Sequence, residues 1–332
     1  MSCLETPSGT DACPSPGLKI ENLCVSFFSS GIAKPALEDL SLNVNPGEIV
    51  GFVGESGSGK SVTALSIMGL LPPPPACRVT GSIFYNNQDV LAMSQQELRH
   101  IRGVRISMIP QDPVSALNPV FRVGDQIAEI FRVHKGLSRK DSAEKSIATL
   151  KKVGVDNPAV RAKQFPHELS GGLNQRALIA MAIACGPEFL LADEPTSSLD
   201  VTVEAKILDL LLKLREDLDF GVLFITHNLA IIDPLCSRVV VLYSGQVVEE
   251  GPVKSILNHP SHPYTESLLR FMPGNPDFTN TSSLKITPKN QKTSKGCIFS
   301  NRCSYVKERC LKVRPEMLIF GGDKMARCHF PL

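Results

Sequence analysis

Four stretches of the chain are apolar at nearly every position, a pattern that is typical of strands buried on both faces of a sheet. They are IVGFVG after Glu48, VRISMIP ending at Pro110, FLLADEP from Phe189 and GVLFIT from Gly221. The stretch Leu40–Val44 instead alternates apolar and polar side chains, which predicts a half-buried strand. RVVVLYSGQVVEEG predicts a hairpin that turns at Ser244 and Gly245.

Helical periodicity separates these strands. KSVTALSIMGLL follows the first strand and is expected to stop at the prolines of residues 72–75. The pattern is helical between about residues 120 and 185, and Ser138 is placed to cap a helix there. A later helix is predicted from apolar residues at helical spacing, namely Val203, Ile207, Leu210, Leu211, Leu214 and Leu218. Strands that alternate with helices predict an α/β sheet domain.

Composition narrows the class of protein. The 332 residues suffice for one large or two ordinary domains, and a net charge of +2 without a basic tract gives no reason to expect nucleic acid. The longest apolar run, Ala177 to Cys185, is about half as long as a membrane span requires. Residues 1–17 lack the regions of a secretory signal, so we interpret them as a disordered lead-in to an intracellular protein. Residues 273–295, rich in Pro, Asn, Thr, Ser and Lys, are interpreted as a linker.

A glycine-rich stretch stands between the first buried strand and its helix. The spacing Gly54-x-x-x-x-Gly59-Lys60-Ser61 is that of a phosphate-binding loop in the strand-loop-helix context that such a loop needs. Glycines let backbone N–H groups converge on phosphate oxygens, and the helix N-terminus adds partial positive charge. We therefore predict ATP binding by Gly54, Glu55, Ser56, Gly57, Ser58, Gly59, Lys60, Ser61 and Val62.

A nucleotide site of this kind also needs acids on a neighbouring strand. Asp193 ends FLLAD and fits the role of a Mg²⁺ ligand, together with Ser61. Glu194 follows directly, so its side chain leaves the strand in another direction and is placed to polarise an attacking water. A solvent-exposed pair of acids at a strand end is the alternative interpretation.

Three further motifs give the chain a family resemblance. LSGGLNQR begins at Leu169 ahead of the two acids, and ITHN begins at Ile225 on the next apolar strand. With the loop and with PQDP, this order resembles the ATPase subunit of an ABC transporter over residues 18 to about 273. The resemblance implies a P-loop NTPase core with an antiparallel β subdomain and a helical subdomain at about residues 112–186, within an ATPase domain of residues 18–258.

The resemblance also implies roles for individual residues. Gln111 would contact Mg²⁺, His227 would be the switch histidine, and both would act with Glu194 in catalysis. A second group would serve the partner chain, with Ser170, Gly171 and Gly172 closing over its ATP and Asp200 crossing the dimer interface. Phe27 aligns with the aromatic residue that stacks on adenine. Leu173 departs from the signature, where glutamine is common, although the backbone and Ser170 would still do the phosphate work.

Residues 259–272 contain HPSHPYTESLL, which resembles an extension found in peptide and nickel importers of the oligopeptide/dipeptide type. This implies peptide import, with nickel or another small solute, or a soluble ATPase without transport, as alternatives. The implied partners are two integral membrane permease subunits, a second ABC ATPase that is a paralogue rather than an identical copy, and, indirectly, an extracytoplasmic solute-binding protein. The chain would lie peripherally on the cytoplasmic face of the inner membrane.

Four of the ten cysteines fall in residues 296–332, namely Cys297, Cys303, Cys310 and Cys328. A segment this short is too small for its own core and needs a staple, and disulfides are rare inside cells. Zinc sites usually show Cys-x2–4-Cys pairs, which are absent here. The tail is similar to one that holds a [4Fe–4S] cluster in some peptide-importer ATPases. We expect such a cluster, with zinc or unligated thiols as alternatives.

Overall fold

The structure is a computed structural model that describes residues 17–197, 199–270 and 295–332. The predicted lead-in and linker lie outside the described residues, except for Gly17 and Lys295.

The strands form two sheets. Their bounds are β1 (Leu18–Ser29), β2 (Ile32–Val44), β3 (Ile49–Val53), β4 (Cys77–Tyr85), β5 (Gln88–Asp89), β6 (Ile106–Ile109), β7 (Phe189–Asp193), β8 (Gly221–Thr226), β9 (Arg238–Tyr243), β10 (Gln246–Pro252), β11 (Leu318–Phe320) and β12 (Lys324–Ala326). The larger sheet has the order β11-β12-β10-β9-β3-β8-β7-β6, and the smaller one has the order β2-β1-β4-β5.

Some helices pack around the large sheet, and a group of five lies between β6 and β7. Their bounds are α1 (Lys60–Ile67), α2 (Gln95–Ile101), α3 (Pro113–Ala116), α4 (Val123–Lys135), α5 (Arg139–Lys152), α6 (Pro158–Arg161), α7 (Gly171–Ile183), α8 (Val201–Leu218), α9 (Val253–Asn258), α10 (Pro263–Arg270) and α11 (Glu308–Lys312). The helices α3 to α7 follow one another between β6 and β7, and α4 packs on α5 and α7.

The buried runs in the sequence became the middle of the large sheet. β3, β7 and β8 are buried at every residue, and β3 pairs in parallel with both β8 and β9. β7 pairs in parallel with β6 and β8. The predicted α/β fold is therefore confirmed, and the carboxyl ends of β3, β6, β7 and β8 lie at one edge of the sheet.

Several local predictions are also confirmed. Ser138 caps α5 by accepting a hydrogen bond from the Asp141 backbone N–H, and β9 and β10 pair antiparallel across the turn at Ser244 and Gly245. The alternation at residues 40–44 is observed, but it belongs to the longer strand β2, within the antiparallel sheet. The helix after the loop ends at Ile67 rather than at the prolines, because Gly69 turns the chain with a φ of 60°.

The last described segment is continuous with the large sheet. β12 pairs antiparallel with β10 through Glu249 and Glu250, and β11 pairs with β12. Cys297, Phe299 and Cys310 are buried in the same core cluster as the sheet. The segment therefore obtains its buried surface by packing on the ATPase body, which counting its own apolar side chains could not predict.

Candidate functional site

The glycine loop crosses from the end of β3 to the start of α1 in a conformation that side chains would block. Gly59 has a φ of 113°, and a Cβ there would lie 2.6 Å from Leu37 Cδ2. A Cβ on Gly54 would lie 2.2 Å from the Leu242 carbonyl oxygen. Both glycines are thus required by the backbone path of the loop, which borders an open cavity at the N-terminus of α1.

Lys60 is folded back along the loop. Its Nζ donates hydrogen bonds to the carbonyl oxygens of Gly54 at 2.8 Å and Glu55 at 3.1 Å, and only 5% of the side chain is exposed. Burial lowers the pKa of Lys60, while the nearby carboxylates of Glu194, Asp193 and Glu55 raise it. A buried ammonium at the N-terminus of a helix is suited to binding an anionic group.

Glu194 brings three distant residues together. Its Oε2 accepts a hydrogen bond from Gln111 Nε2 at 3.1 Å and lies 3.1 Å from His227 Nδ1, while its Oε1 lies 3.8 Å from Lys60 Nζ. Gln111 follows β6, Glu194 follows β7 and His227 follows β8, so parallel pairing places all three at one sheet edge. Glu194 also has a left-handed φ of 46°, which is uncommon outside glycine and is concentrated at functional sites.

Asp193 has the environment of a cation ligand. Burial raises the pKa of this carboxyl, whereas a hydrogen bond from Ser61 and the charge of Lys60 lower it. Its Oδ1 is buried and has no hydrogen-bond partner among the described residues. An orphaned carboxylate oxygen beside a serine hydroxyl fits Mg²⁺, which prefers oxygen ligands and one or two carboxylates.

One cavity joins these groups. Its lining includes predicted residues of the loop and of the acid cluster, namely Glu55, Ser56, Gly57, Gly59, Lys60, Ser61, Val62, Gln111, Glu194 and His227. Ala36 and Leu268 line it as well, although neither belongs to a sequence motif predicted to bind ATP. Four predicted residues are not among the lining residues, namely Phe27, Gly54, Ser58 and Asp193.

The residues assigned to a partner chain lie apart from this cavity. Ser170 caps α7, with its Oγ accepting a hydrogen bond from the Leu173 N–H at 3.4 Å. Gly171 and Gly172 form the first turn of the same helix. Asp200 caps α8 by accepting from the Val203 N–H at 2.9 Å. Within one chain these residues have structural roles, and none of them lines the nucleotide cavity.

Two residues from the C-terminal part of the chain reach the loop, and the sequence analysis missed both. Arg302 donates two hydrogen bonds to the carboxylate of Glu55, and the Tyr264 hydroxyl accepts one from the Glu55 backbone N–H at 3.0 Å. Tyr264 belongs to HPSHPYTESLL, a motif that had been related only to the transported substrate. Arg302 had no signal of its own, except its place between two of the tail cysteines.

The four tail cysteines converge. Cys297, Cys303, Cys310 and Cys328 line one small cavity, next to Phe299 and His262. Burial raises the pKa of Cys297 to about 11 and also raises the pKa of Cys303 and Cys328. No cysteine in the described ranges forms a disulfide. In those ranges, too, no group of three or more His, Cys, Asp or Glu side chains is arranged to hold a metal ion.

Across residues 17–197, 199–270 and 295–332, no helix is both long and apolar enough to cross a bilayer.

Two family profiles match the chain. The profile described as "ABC transporter" matches residues 37–197, which include the loop and both acids. The profile described as "Oligopeptide/dipeptide transporter, C-terminal region" matches residues 248–310, which include Tyr264, Arg302 and three of the four tail cysteines.

Curated relatives match over almost their whole length. A putative peptide import ATP-binding protein of Brucella abortus is 44% identical, with 94% of this chain and 96% of the relative covered. The dipeptide transport ATP-binding protein DppD of Escherichia coli is 40% identical, with 95% of this chain and 97% of that protein covered.

Solved structures match the ATPase part. A dimeric ATP-binding cassette in a post-hydrolysis state, bound to ADP and phosphate, is 28% identical with a TM-score of 0.63. The match covers 71% of this chain and 98% of that cassette. A dimeric bacterial ABC transporter cassette gives a TM-score of 0.64 over the same shares of the two chains. These structures have the cassette fold that the sequence motifs predicted.

Proposed function

This chain belongs to the ATP-binding subunits of ABC transporters, in their oligopeptide/dipeptide branch, and on that basis we propose that it powers the import of peptides. As a member of this family it is an ATPase, and it works with membrane permease subunits in a transporter complex. The proposal adds the substrate, the roles of individual residues, the identity of the second ATPase chain and the place at the cytoplasmic face of the inner membrane.

The observation that supports the catalytic part best is the position of Glu194. Glu194 lines the nucleotide cavity, its side chain is 13% exposed, and its carboxylate is held by Gln111 and His227. A general base must be fixed within hydrogen-bond reach of the water that it polarises, and two partners on neighbouring strands fix this one. Glu194 thus takes the proton of the attacking water, while Gln111 and His227 hold its carboxylate in place.

The loop residues bind and orient the nucleotide. The amides of residues 56–61 and Lys60 bind the β- and γ-phosphates, and Lys60 exchanges its two backbone carbonyl partners for phosphate oxygens. Ser61, Asp193 and Gln111 would hold Mg²⁺, which supplies charge neutralisation for the phosphates. Phe27 would stack on the adenine, at a position beyond the present lining of the cavity.

Hydrolysis is completed by a second ATPase chain, a paralogue rather than an identical copy. Ser170, Gly171 and Gly172 lie at the N-terminus of the 13-residue helix α7, where partial positive charge and free amides attract an anion. In the assembled pair, the N-terminus of α7 would face the γ-phosphate of the ATP that the partner chain binds. Asp200, at the N-terminus of α8, would cross the same interface.

The proposed division of the chain is an ATPase domain at residues 18–258, with a helical subdomain at about residues 112–186, and an extension at residues 259–272. A linker at residues 273–295 and a cysteine-bearing appendage at residues 296–332 follow it. An extracytoplasmic binding protein would deliver the peptide to the permease subunits and touch this chain only through them.

The proposal includes one [4Fe–4S] cluster bound by Cys297, Cys303, Cys310 and Cys328. These thiols share one cavity without forming disulfides. In a four-iron cluster each thiolate binds a different iron, so the sulfur atoms need not crowd together as they do around a single zinc ion. Zinc is the alternative ligand, and anaerobic purification distinguishes it from the cluster.

Reconstitution tests the transport function. The chain, its paralogue and the permease subunits are purified together and placed in vesicles that enclose ATP. Uptake of a labelled dipeptide, supplied with the binding protein, should occur and should stop in the Glu194→Gln variant. Uptake of nickel without peptide uptake would contradict the peptide assignment, and ATP hydrolysis that never couples to any permease would contradict a transport role.

Anaerobic purification tests the cluster. The protein should be brown, with broad absorption at roughly 400 nm from iron–thiolate ligation, and iron and sulfide should be present in equal amounts. Cys310→Ser should lose this absorption, whereas Cys236→Ser, which changes a buried cysteine outside the tail, should keep it. A colourless preparation with one zinc per chain would contradict the cluster.

A further inference from the structure

The phosphate-binding loop is held by a part of the chain that lies almost the whole sequence away. Arg302 Nη1 donates to Glu55 Oε2 at 3.0 Å, and Nη2 donates to Glu55 Oε1 at 2.8 Å. This is a bidentate pair, the geometry in which arginine recognises a carboxylate most strongly. Both side chains are partly withdrawn from solvent, with 25% of Arg302 and 31% of Glu55 exposed.

The position of Glu55 makes this pair matter for nucleotide binding. Glu55 lines the cavity that is to receive the phosphates of ATP, so its carboxylate places a negative charge beside an anionic ligand. That charge is unfavourable unless a cation compensates for it, and inside a partly enclosed site it is only weakly screened. Arg302 supplies the cation from outside the loop.

A second contact fixes the backbone of the same residue. The Tyr264 hydroxyl accepts a hydrogen bond from the Glu55 N–H, and Tyr264 is fully buried. The rings of Tyr264, Tyr243 and Phe299 pack together with centroids 4.6 to 5.5 Å apart. The Arg302 guanidinium lies 5.7 Å from the Tyr243 ring and 5.8 Å from the Phe299 ring. Arg302 is therefore oriented before it reaches Glu55.

We propose that Arg302, from the cysteine-bearing segment, and Tyr264, from α10, form a brace that positions Glu55 and sets the affinity of the loop for ATP. The two are positioning residues, since they act on the nucleotide only through Glu55. The inference rests on ATP binding at this loop, and it gives the C-terminal segment a part in the ATPase cycle rather than in folding alone.

The brace also connects the loop to the cysteine-lined cavity. Phe299 both packs against Arg302 and lines that cavity, and Cys303 is the next residue after Arg302. A change in this cavity, such as the loss of a group ligated by the cysteines, displaces Arg302 and leaves the charge of Glu55 uncompensated. A change at the tail cysteines therefore alters the affinity of the loop for ATP.

The first test measures the binding of a fluorescent ATP analogue to the full chain, and steady-state hydrolysis by the complex of this chain with its paralogue and the permease subunits. Arg302→Ala should weaken binding and raise KM about tenfold or more, because Glu55 then faces the phosphates alone. The kcat at saturating ATP should stay within about twofold, since Glu194 and its partners are untouched. Arg302→Lys should recover part of the affinity, as lysine restores the charge but not the bidentate geometry.

A matched control separates the brace from general loosening of the segment. Arg314→Ala breaks an ion pair of 2.9 Å between the same segment and Glu38, which does not line the nucleotide cavity. It should leave the affinity unchanged. Equal loss of affinity in Arg302→Ala and Arg314→Ala, or no loss in Arg302→Ala, would overturn the brace. Thermal melting of each variant shows whether it is folded.

Two double variants test the mechanism. Adding Glu55→Gln to Arg302→Ala should restore much of the lost affinity, because the uncompensated charge is then gone. Cys303→Ser should lower the affinity in the wild-type background and have almost no further effect on Arg302→Ala, since both changes break one connection. Additive losses would contradict coupling through Arg302. If wild-type protein fails to bind the analogue, the proposed ATPase site itself is wrong, whereas unaltered variants beside a binding wild type refute only the brace.

Discussion

At the scale of single residues, the site depends on one carboxylate that is shared by several partners. Glu194 has Gln111 and His227 on one oxygen and Lys60 on the other, so its orientation does not depend on any one contact. Lys60 in turn is satisfied by two backbone carbonyls of its own loop. Lys60 is expected to bind ATP and Glu194 to hydrolyse it, so substitutions at these two residues should separate binding from hydrolysis.

Replacing Glu194 with glutamine should leave ATP bound and slow its hydrolysis. Glutamine keeps the shape and accepts the Gln111 hydrogen bond, but it cannot take a proton, and a positioned general base is worth roughly 10²–10⁴-fold in rate. Phosphate release gives the rate, and the fluorescent analogue gives the affinity. Glu216→Gln, an exposed change on α8, serves as the control. Normal turnover in Glu194→Gln would exclude Glu194 as the base.

Replacing Lys60 with alanine should instead abolish measurable binding at ordinary ATP concentrations. The variant removes the buried ammonium at the centre of the loop and leaves the carbonyl oxygens of Gly54 and Glu55 without their donor. Equilibrium titration checks this, with Lys206→Ala on the surface of α8 as the matched control. Retained affinity would mean that the loop amides suffice without the lysine.

These residues could be predicted from the sequence because each lies in a short motif of neighbouring residues. A phosphate-binding loop needs its glycines and lysine at fixed spacing, and strand-end acids follow directly from buried apolar runs. Arg302 could not be predicted, since 247 positions separate it from Glu55 and only folding brings the two together. Leu268 and Ala36 were missed for the same reason, because an apolar side chain in a cavity wall has no local signature.

At the scale of elements, the predictability of a strand followed its burial. β3, β7 and β8 are buried at every position, so continuous apolar runs identified them. β1 was not identified, because it departs from regular pairing with β2 at several places between Ile20 and Ser26 and its alternation is interrupted there. The strands β11 and β12 have three residues each, too few for any period to show.

Substitutions of Asp200 test whether this helix cap also contacts the second ATPase chain. Asp200→Ala removes the hydrogen bond to the Val203 N–H and should lower the free energy of unfolding by about 1 kcal/mol, the usual value of an N-cap. Asp200→Asn keeps the cap and should restore stability, as chemical denaturation can show. If Asp200 also crosses the dimer interface, the asparagine variant should still lose ATPase activity. Full activity in a stable Asp200→Asn variant would confine this residue to capping.

At the scale of the whole molecule, the chain carries one part of each of two ATP sites. One part is its nucleotide cavity, and the other is the N-terminus of α7. Its nucleotide cavity lies at one edge of the large sheet, while the N-terminus of α7 lies outside that cavity and has no acidic residue in its first turn. Two chains placed head to tail would complete both sites, with ATP between them. The phosphates would then offset the partial positive charges of two helix ends, so closure would require nucleotide.

Crosslinking in the assembled complex checks this closure. A cysteine at Ser56, which is exposed on the loop, should crosslink to a cysteine at the partner's signature glycine when ATP is present in the Glu194→Gln background. In an identical pair the second position is Gly171. A cysteine at Lys140, on the exposed face of α5, should not crosslink in either state. Equal crosslinking with and without ATP would contradict nucleotide-driven closure.

The pairing of β12 with β10 has a consequence for any shortened form of this protein. β10 lies between β9 and β12, and β12 occupies the outer side of β10 at Glu249 and Glu250. A chain that ends before residue 295 would leave those backbone N–H and C=O groups unpaired, on a strand whose residues are otherwise mostly buried. Open strand edges recruit other strands, so truncated protein should self-associate by edge-to-edge pairing. The C-terminal segment therefore also keeps the chain from polymerising through its own sheet.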